Sequence, residues 1–230
     1  MTASGIRAGV LAIVLALGAW AWADEVVIVN TLPGTWIDIS QSGTNLHLGD
    51  DDFAEVQTTI GNSLLPTGRV VVSNNGGIGF DPPDPVLSRQ NEHIPSQHAF
   101  GGGQSLFIYW SDIGNDIGGT FFQEMGDRYV VQWNHRPVPG TTGFITMQIQ
   151  VFDGSESTNP YFQFLYQEVE SVGGGAQATI GYQDGGAGFN DDEWSFNTPG
   201  AVADGGVLSV LPEPHALFSL LILCAFAGRR

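Results

Sequence analysis

The sequence predicts an all-β fold: a mainly antiparallel, jelly-roll-like β-sandwich flanked by an apolar segment at each end. Three observations carry that expectation. Apolar side chains recur at every second position over many short stretches, the mark of a strand with one buried face. Gly, Asn, Asp and Pro cluster between those stretches, as in "SNNGGIGFDPPDP", "HRPVPGTTG", "VGGGAQ" and "DGGAGFNDD". Such residues supply the backbone angles of turns. Between the two ends no stretch of useful length repeats with the helical period, and many short strands joined by short turns build sandwiches or barrels.

Residues 1–23 read as a secretory signal. Arg7 is the only charge before the apolar run Ala8 to Ala19, and Ala21-Trp22-Ala23 forms a small-x-small exit just before Asp24. The run is shorter than the roughly 20 residues a bilayer span needs, so cleavage rather than anchoring is expected. Residues 24–211 then form one domain, long enough for a core of its own.

The strands follow in order: Val26–Val29, Trp36–Ser40, Glu55–Ile60, Arg69–Ser73, Ser105–Trp110 and Thr120–Glu124. In "RYVVQWN", Tyr129, Val131 and Trp133 share one face, with Arg128, Gln132 and Asn134 on the other. In "GFITMQIQVF", Ile145, Met147, Ile149 and Val151 alternate with Thr146, Gln148 and Gln150. Phe162, Phe164 and Tyr166 share a face in "YFQFLY", and Ala178–Tyr182 and Gly206–Val210 close the set.

Residues 212–230 form a separate tail: Pro212-Glu213-Pro214, an apolar run from Ala216 to Ala227, then Arg229-Arg230. Prolines cannot continue a helix and hold the segment around Glu213 extended. The apolar run forms a short helix able to enter lipid, and the two arginines stay on the cytoplasmic side. As a helix the run spans roughly 18 Å, against a hydrocarbon core of about 30 Å. That suits transient membrane contact better than a permanent anchor.

Charge and cysteine narrow the setting. The chain carries a net charge of −17 and no lysine. Only Glu213 among its 24 acids and three of its seven arginines lie in the terminal segments. The body is therefore near −19, from four arginines against 23 acids. Such a surface excludes nucleic acid as a partner and repels anionic lipid heads. Cys224 is the only cysteine and lies in the tail, so the body holds no disulfide of its own.

Catalytic patterns are missing: there is no nucleophile elbow, no His-Glu-x-x-His and no P-loop. His93 and His98 are separated by Pro95 and do not share a helix face. The carboxylates are better candidates. Asp50, Asp51 and Asp52 sit in one Gly-bounded turn, Asp112 and Asp116 flank another, and Asp191 and Asp192 lie in a third. Calcium takes six to eight oxygens from loops of this kind, so these seven acids are the candidate ligands, although none matches the EF-hand spacing. Trp194 follows an acidic turn and is the candidate stacking surface for a sugar ring, whereas Trp133 lies on an apolar strand face and belongs to the core.

Two resemblances add a setting. "GTWIDISQSGTNLHLGDDDFAEVQTTIG", "VVVSNNGGIGF", "SLFIYWSDIG", "RYVVQWNHRPV", "GFITMQIQVFDG", "YFQFLYQEV", "QATIGYQDGGAG" and "FNTPGAVADGGVLSV" resemble, in that order, a bacterial secreted surface β domain similar to nidogen-like extracellular domains. The sequence departs from that pattern at "SLLPTGRVVV", which lacks an aromatic-rich lead, and at Ser111, where an acid is common. Pro212-Glu213-Pro214, the apolar run and Arg229-Arg230 resemble a PEP-CTERM sorting signal. Together these imply an exported, non-enzymatic module of the cell surface or extracellular matrix, structural or adhesive in role. The partner that places it there would be an exosortase-type membrane enzyme, and other surface proteins or an exopolysaccharide would be its neighbours. A carbohydrate-binding module, assisted by calcium, is the alternative, and a secreted hydrolase a third.

Overall fold

The computed structural model describes residues 27–29, 34–156, 159–186 and 191–212. The leader 1–23 and, in the tail, Glu213, Pro214, Arg229 and Arg230 lie outside the described residues. The described residues form thirteen strands: β1 (Val27–Val29), β2 (Thr44–Asn45), β3 (Phe53–Thr58), β4 (Gly68–Ser73), β5 (Gly77–Phe80), β6 (Ser105–Trp110), β7 (Gly119–Met125), β8 (Arg128–Pro137), β9 (Phe144–Phe152), β10 (Phe162–Glu168), β11 (Thr179–Gln183), β12 (Asp192–Phe196) and β13 (Val207–Leu211). The only helix among the described residues is two three-residue 3-10 turns, Phe100–Gly102 and Glu170–Val172.

All strand pairs are antiparallel and fall into two sheets. One has the order β1-β13-β10-β9-β8-β7-β2, the other β12-β11-β6-β5-β4-β3. Each contains a meander, β7 to β10 in the first and β3 to β6 in the second. A jelly roll passes from sheet to sheet at nearly every strand, so the expected jelly-roll-like order is not what forms here. The cause is local: connections such as Asn74–Gly76 and Gly126–Asp127 are too short to leave the sheet.

The two sheets share one core. Tyr129, Val131, Trp133, Ile145, Met147, Ile149 and Val151 come from one; Val70, Val72, Ile78, Leu106, Ile108 and Ile180 come from the other. Trp133 is completely buried and its indole N–H donates to the Ser73 carbonyl across the sheets at 3.0 Å. Burying a large apolar side chain contributes about 1.5–3 kcal/mol, so the alternating residues of β8 to β10 account for much of the driving force.

Both outer faces are covered as well. Residues 81–104 cross the outside of the β3–β6 sheet, where Leu87, Ala99 and Phe100 pack on Val71, Phe107 and Trp110. The other sheet is covered by an extended segment, residues 34–39. Gln132, Gln148 and Gln150, read from sequence as a polar outward face, are fully buried beneath it. Ile39 N–H donates to Gln132 Oε1 at 2.9 Å, Gln148 Nε2 to the Ile37 carbonyl, and Gln150 Nε2 to the Thr35 carbonyl at 2.9 Å. The expected strand Trp36–Ser40 is therefore not a strand: side-chain amides, not a neighbouring backbone, take its hydrogen bonds.

The chain enters and leaves at one pole. Val27 pairs with Leu211 and Val29 with Ser209, so β1 begins where β13 ends. Asn62 meets the end of β9 and the start of β10 at this same pole, through Asn62 Nδ2 bonds to the Phe152 and Tyr161 carbonyls. Strand directions place Asp50–Asp52, Asn74–Gly76, Asp112–Asp116, 138–143 and 197–206 at the far pole.

Candidate functional site

Five of the seven candidate carboxylates lie at the far pole, and three of them converge there. Oxygens of Asp50, Asp51 and Asp112 lie within 4.8 Å of one another. Asp50 and Asp51 stand in the turn before β3, and Asp112 follows β6. Their common support is the β4–β5 turn. Asn75 Nδ2 donates to Asp51 Oδ1 at 3.0 Å and to the Leu87 carbonyl at 3.1 Å, while Asn74 N–H donates to the Asp52 carbonyl at 2.9 Å. Gly76 closes that turn at φ +79, and a Cβ there would meet the Tyr109 carbonyl oxygen at 2.1 Å. Only glycine lets the turn sit this close to β6.

Burial, then the charges of Asp51 and Asp50, pushes the Asp112 carboxyl above the usual carboxylate range, with Arg89 opposing. Three carboxylates at this separation fit the oxygen donor set of a hard cation such as calcium. The remaining candidates go elsewhere. Asp52 turns back on its own loop, accepting from Gly49 N–H at 3.2 Å and Phe53 N–H at 2.8 Å. Asp116 is exposed and outside the trio. Asp191 and Asp192 lie at the opposite pole, where Asp191 Oδ1 accepts from Asp184 N–H at 2.9 Å. Burial, then Asp191, raises the Asp192 carboxyl.

Beneath the acidic pole lies Arg136, a residue the sequence did not single out. It is only 2% exposed. Its Nη2 donates to Asn74 Oδ1, and its Nε has no partner among the described residues. Burial pulls its pKa down, with the charges of Asp116 and then Asp50 opposing. The histidines of "NEHIPSQH" do not converge: His93 Nδ1 lies 2.9 Å from Glu193 Oε1, and His98 Nδ1 lies 2.7 Å from Glu92 Oε1.

A second feature lies at the sheet margin. A cleft of about 470 Å³ opens between β12, β13 and the 201–206 loop, with Trp194 and Ser195 on its wall. Small-molecule sites typically have volumes of about 300–1,000 Å³. Trp194 is half-buried rather than displayed: its ring meets Phe164 edge-on at 5.5 Å and Phe162 at 6.1 Å. Ile180 pairs with Ser195 and Gly181 with Glu193, leaving Trp194 as the extra residue of a β-bulge. A bulge disrupts alternation and re-aims side chains, which explains how two consecutive residues line one cleft. Trp194 Nε1 and Ser195 Oγ are both buried without a hydrogen-bond partner among the described residues. An unsatisfied buried polar group costs about 1–3 kcal/mol.

Compared with known proteins, the chain matches no protein-family model, no curated protein and no solved structure.

Proposed function

We propose that this chain is an exported, non-enzymatic module of the cell surface or extracellular matrix, with a structural or adhesive role. Its body is a β-sandwich, residues 1–23 direct export, and the PEP-CTERM-like tail from Pro212 is the handle for an exosortase-type membrane enzyme. The observation that supports this best is the pairing of Val27 with Leu211. Both terminal segments depart from one pole, so a chain held by its tail turns the opposite pole, with its acidic loops, outward. The exosortase step needs Pro212, Glu213 and Pro214 as the recognition site, with Arg229 and Arg230 holding the tail's end on the cytoplasmic side. The test is to express the full chain and a form ending at Leu211 in the native host and compare cell-bound with medium fractions. The truncated form is expected to move to the medium with its melting temperature unchanged. Equal partitioning of the two forms would rule the tail out as a sorting handle.

A second reading is a calcium-assisted polysaccharide-binding module. It is favoured by one observation, the approach of Asp50, Asp51 and Asp112 within 4.8 Å at the outward pole. Calcium there would neutralise a crowded carboxylate trio and tie the turn before β3 to the segment after β6.

A further inference from the structure

Two residues that line the cleft each carry a buried hydrogen-bonding atom without a partner among the described residues, Trp194 Nε1 and Ser195 Oγ. Trp194 Nε1 is only a donor, while a serine hydroxyl donates and accepts. An occupant that satisfies both must bring acceptor oxygen. Beside these polar atoms, Ile180, Val202, Val207 and Leu208 supply an apolar side to the cleft. The occupant must therefore also present a C–H face. Among the described residues no cationic side chain lines the cleft, and the chain carries −17 overall. An anion is disfavoured on both counts.

Taken together, these requirements describe an uncharged sugar ring: C–H groups on its face and oxygens around its edge. We propose that the cleft binds a neutral pyranose unit of a polysaccharide, with Trp194 and Ser195 as its hydrogen-bonding partners. Trp194 acts as a fixed wall and donor, not as an open stacking plate, because Phe162 and Phe164 already hold its ring. Both orphan atoms are sealed from water, so the sugar gains them by a small outward shift of residues 201–203. That stretch, with Gly206, is the part of the wall that belongs to neither sheet. The proposal rests on the surface-module reading only for the source of the sugar.

The experiment titrates the purified, ¹⁵N-labelled full chain with cellobiose, maltose and the N-acetylglucosamine disaccharide, and with digalacturonic acid as the charged comparison. The signal is the Trp194 indole N–H resonance, assigned by its loss in Trp194→Phe. A saturable shift with at least one neutral disaccharide is expected, stronger than with digalacturonic acid. Ser195→Ala should weaken it roughly tenfold, and Ala203→Phe, which fills the cleft, should abolish it while the rest of the spectrum stays folded. If Ala203→Phe unfolds the chain, Ser195→Ala still decides the matter. No saturable shift with any neutral sugar, a stronger response to the acidic sugar, or undiminished binding in Ser195→Ala would each overturn the proposal. Purified protein is used throughout, so failure here leaves the sorting experiment untouched, and failure of sorting leaves this titration untouched.

Discussion

Arg136 marks where reading by alternation ends. Tyr129, Val131 and Trp133 point inward, so parity would send Arg136 outward with Gln132 and Asn134. The β8–β9 register instead slips between Trp133 and Arg136, and His135 there adopts φ 52. The slip turns Arg136 into the space between the sheets, under the acidic loops. Those loops thus meet two opposed demands. Asp116 and Asp50 offset a buried guanidinium, whereas Asp50 and Asp51 repel Asp112. A carboxyl whose folded-state pKa is raised costs stability as pH climbs through the window between its unfolded and folded values. At neutral pH the Asp112 carboxylate without a metal therefore opposes folding. From this follows a test of calcium at the pole. Calcium should raise the melting temperature over that in chelator by roughly 2–5 °C. Asp112→Asn should lose that rise, yet melt no lower than the parent in chelator, because it removes a repelled charge. Identical melts of the parent in calcium and in chelator would leave the three acids as solvated turn residues.

At the scale of elements, period two marks the strands whose one face is core: β4, β6 to β11 and β13 all coincide with stretches that alternate or run apolar. It misses β5, because "GIGF" has glycine on one face and no pattern to read. It misses β2, which is two residues long, and β12, whose bulge and acidic start disguise it. It also marks Trp36–Ser40 as a strand because Ile37 and Ile39 alternate there. What no periodicity encodes is the partner: that segment pairs with a row of glutamine side chains. Gln148 lies at the centre of the row. It holds the Ile37 peptide from both sides, accepting from its N–H at 3.4 Å and donating to its carbonyl, and it donates to Gln132 Oε1 at 2.9 Å. Gln148→Ala should cost about 1–3 kcal/mol, the penalty of leaving buried peptide groups unpaired. Amide exchange at Ile37 and Ile39 should quicken while that of β8 and β9 holds. Unchanged exchange at those two amides would mean that packing of Ile39, not the amide row, retains the segment. The candidate site was legible to a similar degree. The acidic turns are visible in sequence, but their sorting between two poles depends on which turns stay within a sheet. The orphan pair at Trp194 and Ser195 arises from a bulge that no composition signals.

For the molecule as a whole, the decisive geometry is that entry and exit share a pole. The tail begins immediately after β13, which pairs with β1 on one side and β10 on the other. A module tethered there holds residues 153–156 close to its anchor and the 138–143 connection about a full strand length away. The five-residue β13 alone spans about 17 Å, and the longer β8 and β9 extend further. An anchor should therefore shield one pole and leave the other free. Cysteine substitutions make this measurable, since Cys224 is the only native thiol and Cys224→Ser removes it. Thr142 and Ser155 are both exposed and stand at opposite poles. In the purified chain, Thr142→Cys and Ser155→Cys should react with a bulky, membrane-impermeant maleimide at similar rates. On intact cells of the native host, Thr142→Cys should react several-fold faster, because the anchored pole is crowded by whatever holds it. A truncated form ending at Leu211, recovered from the medium, should lose the difference. Equal rates on cells would mean that the module is not held by its tail pole, and a reversed order would mean that the acidic pole, not the tail, is the side that faces the cell.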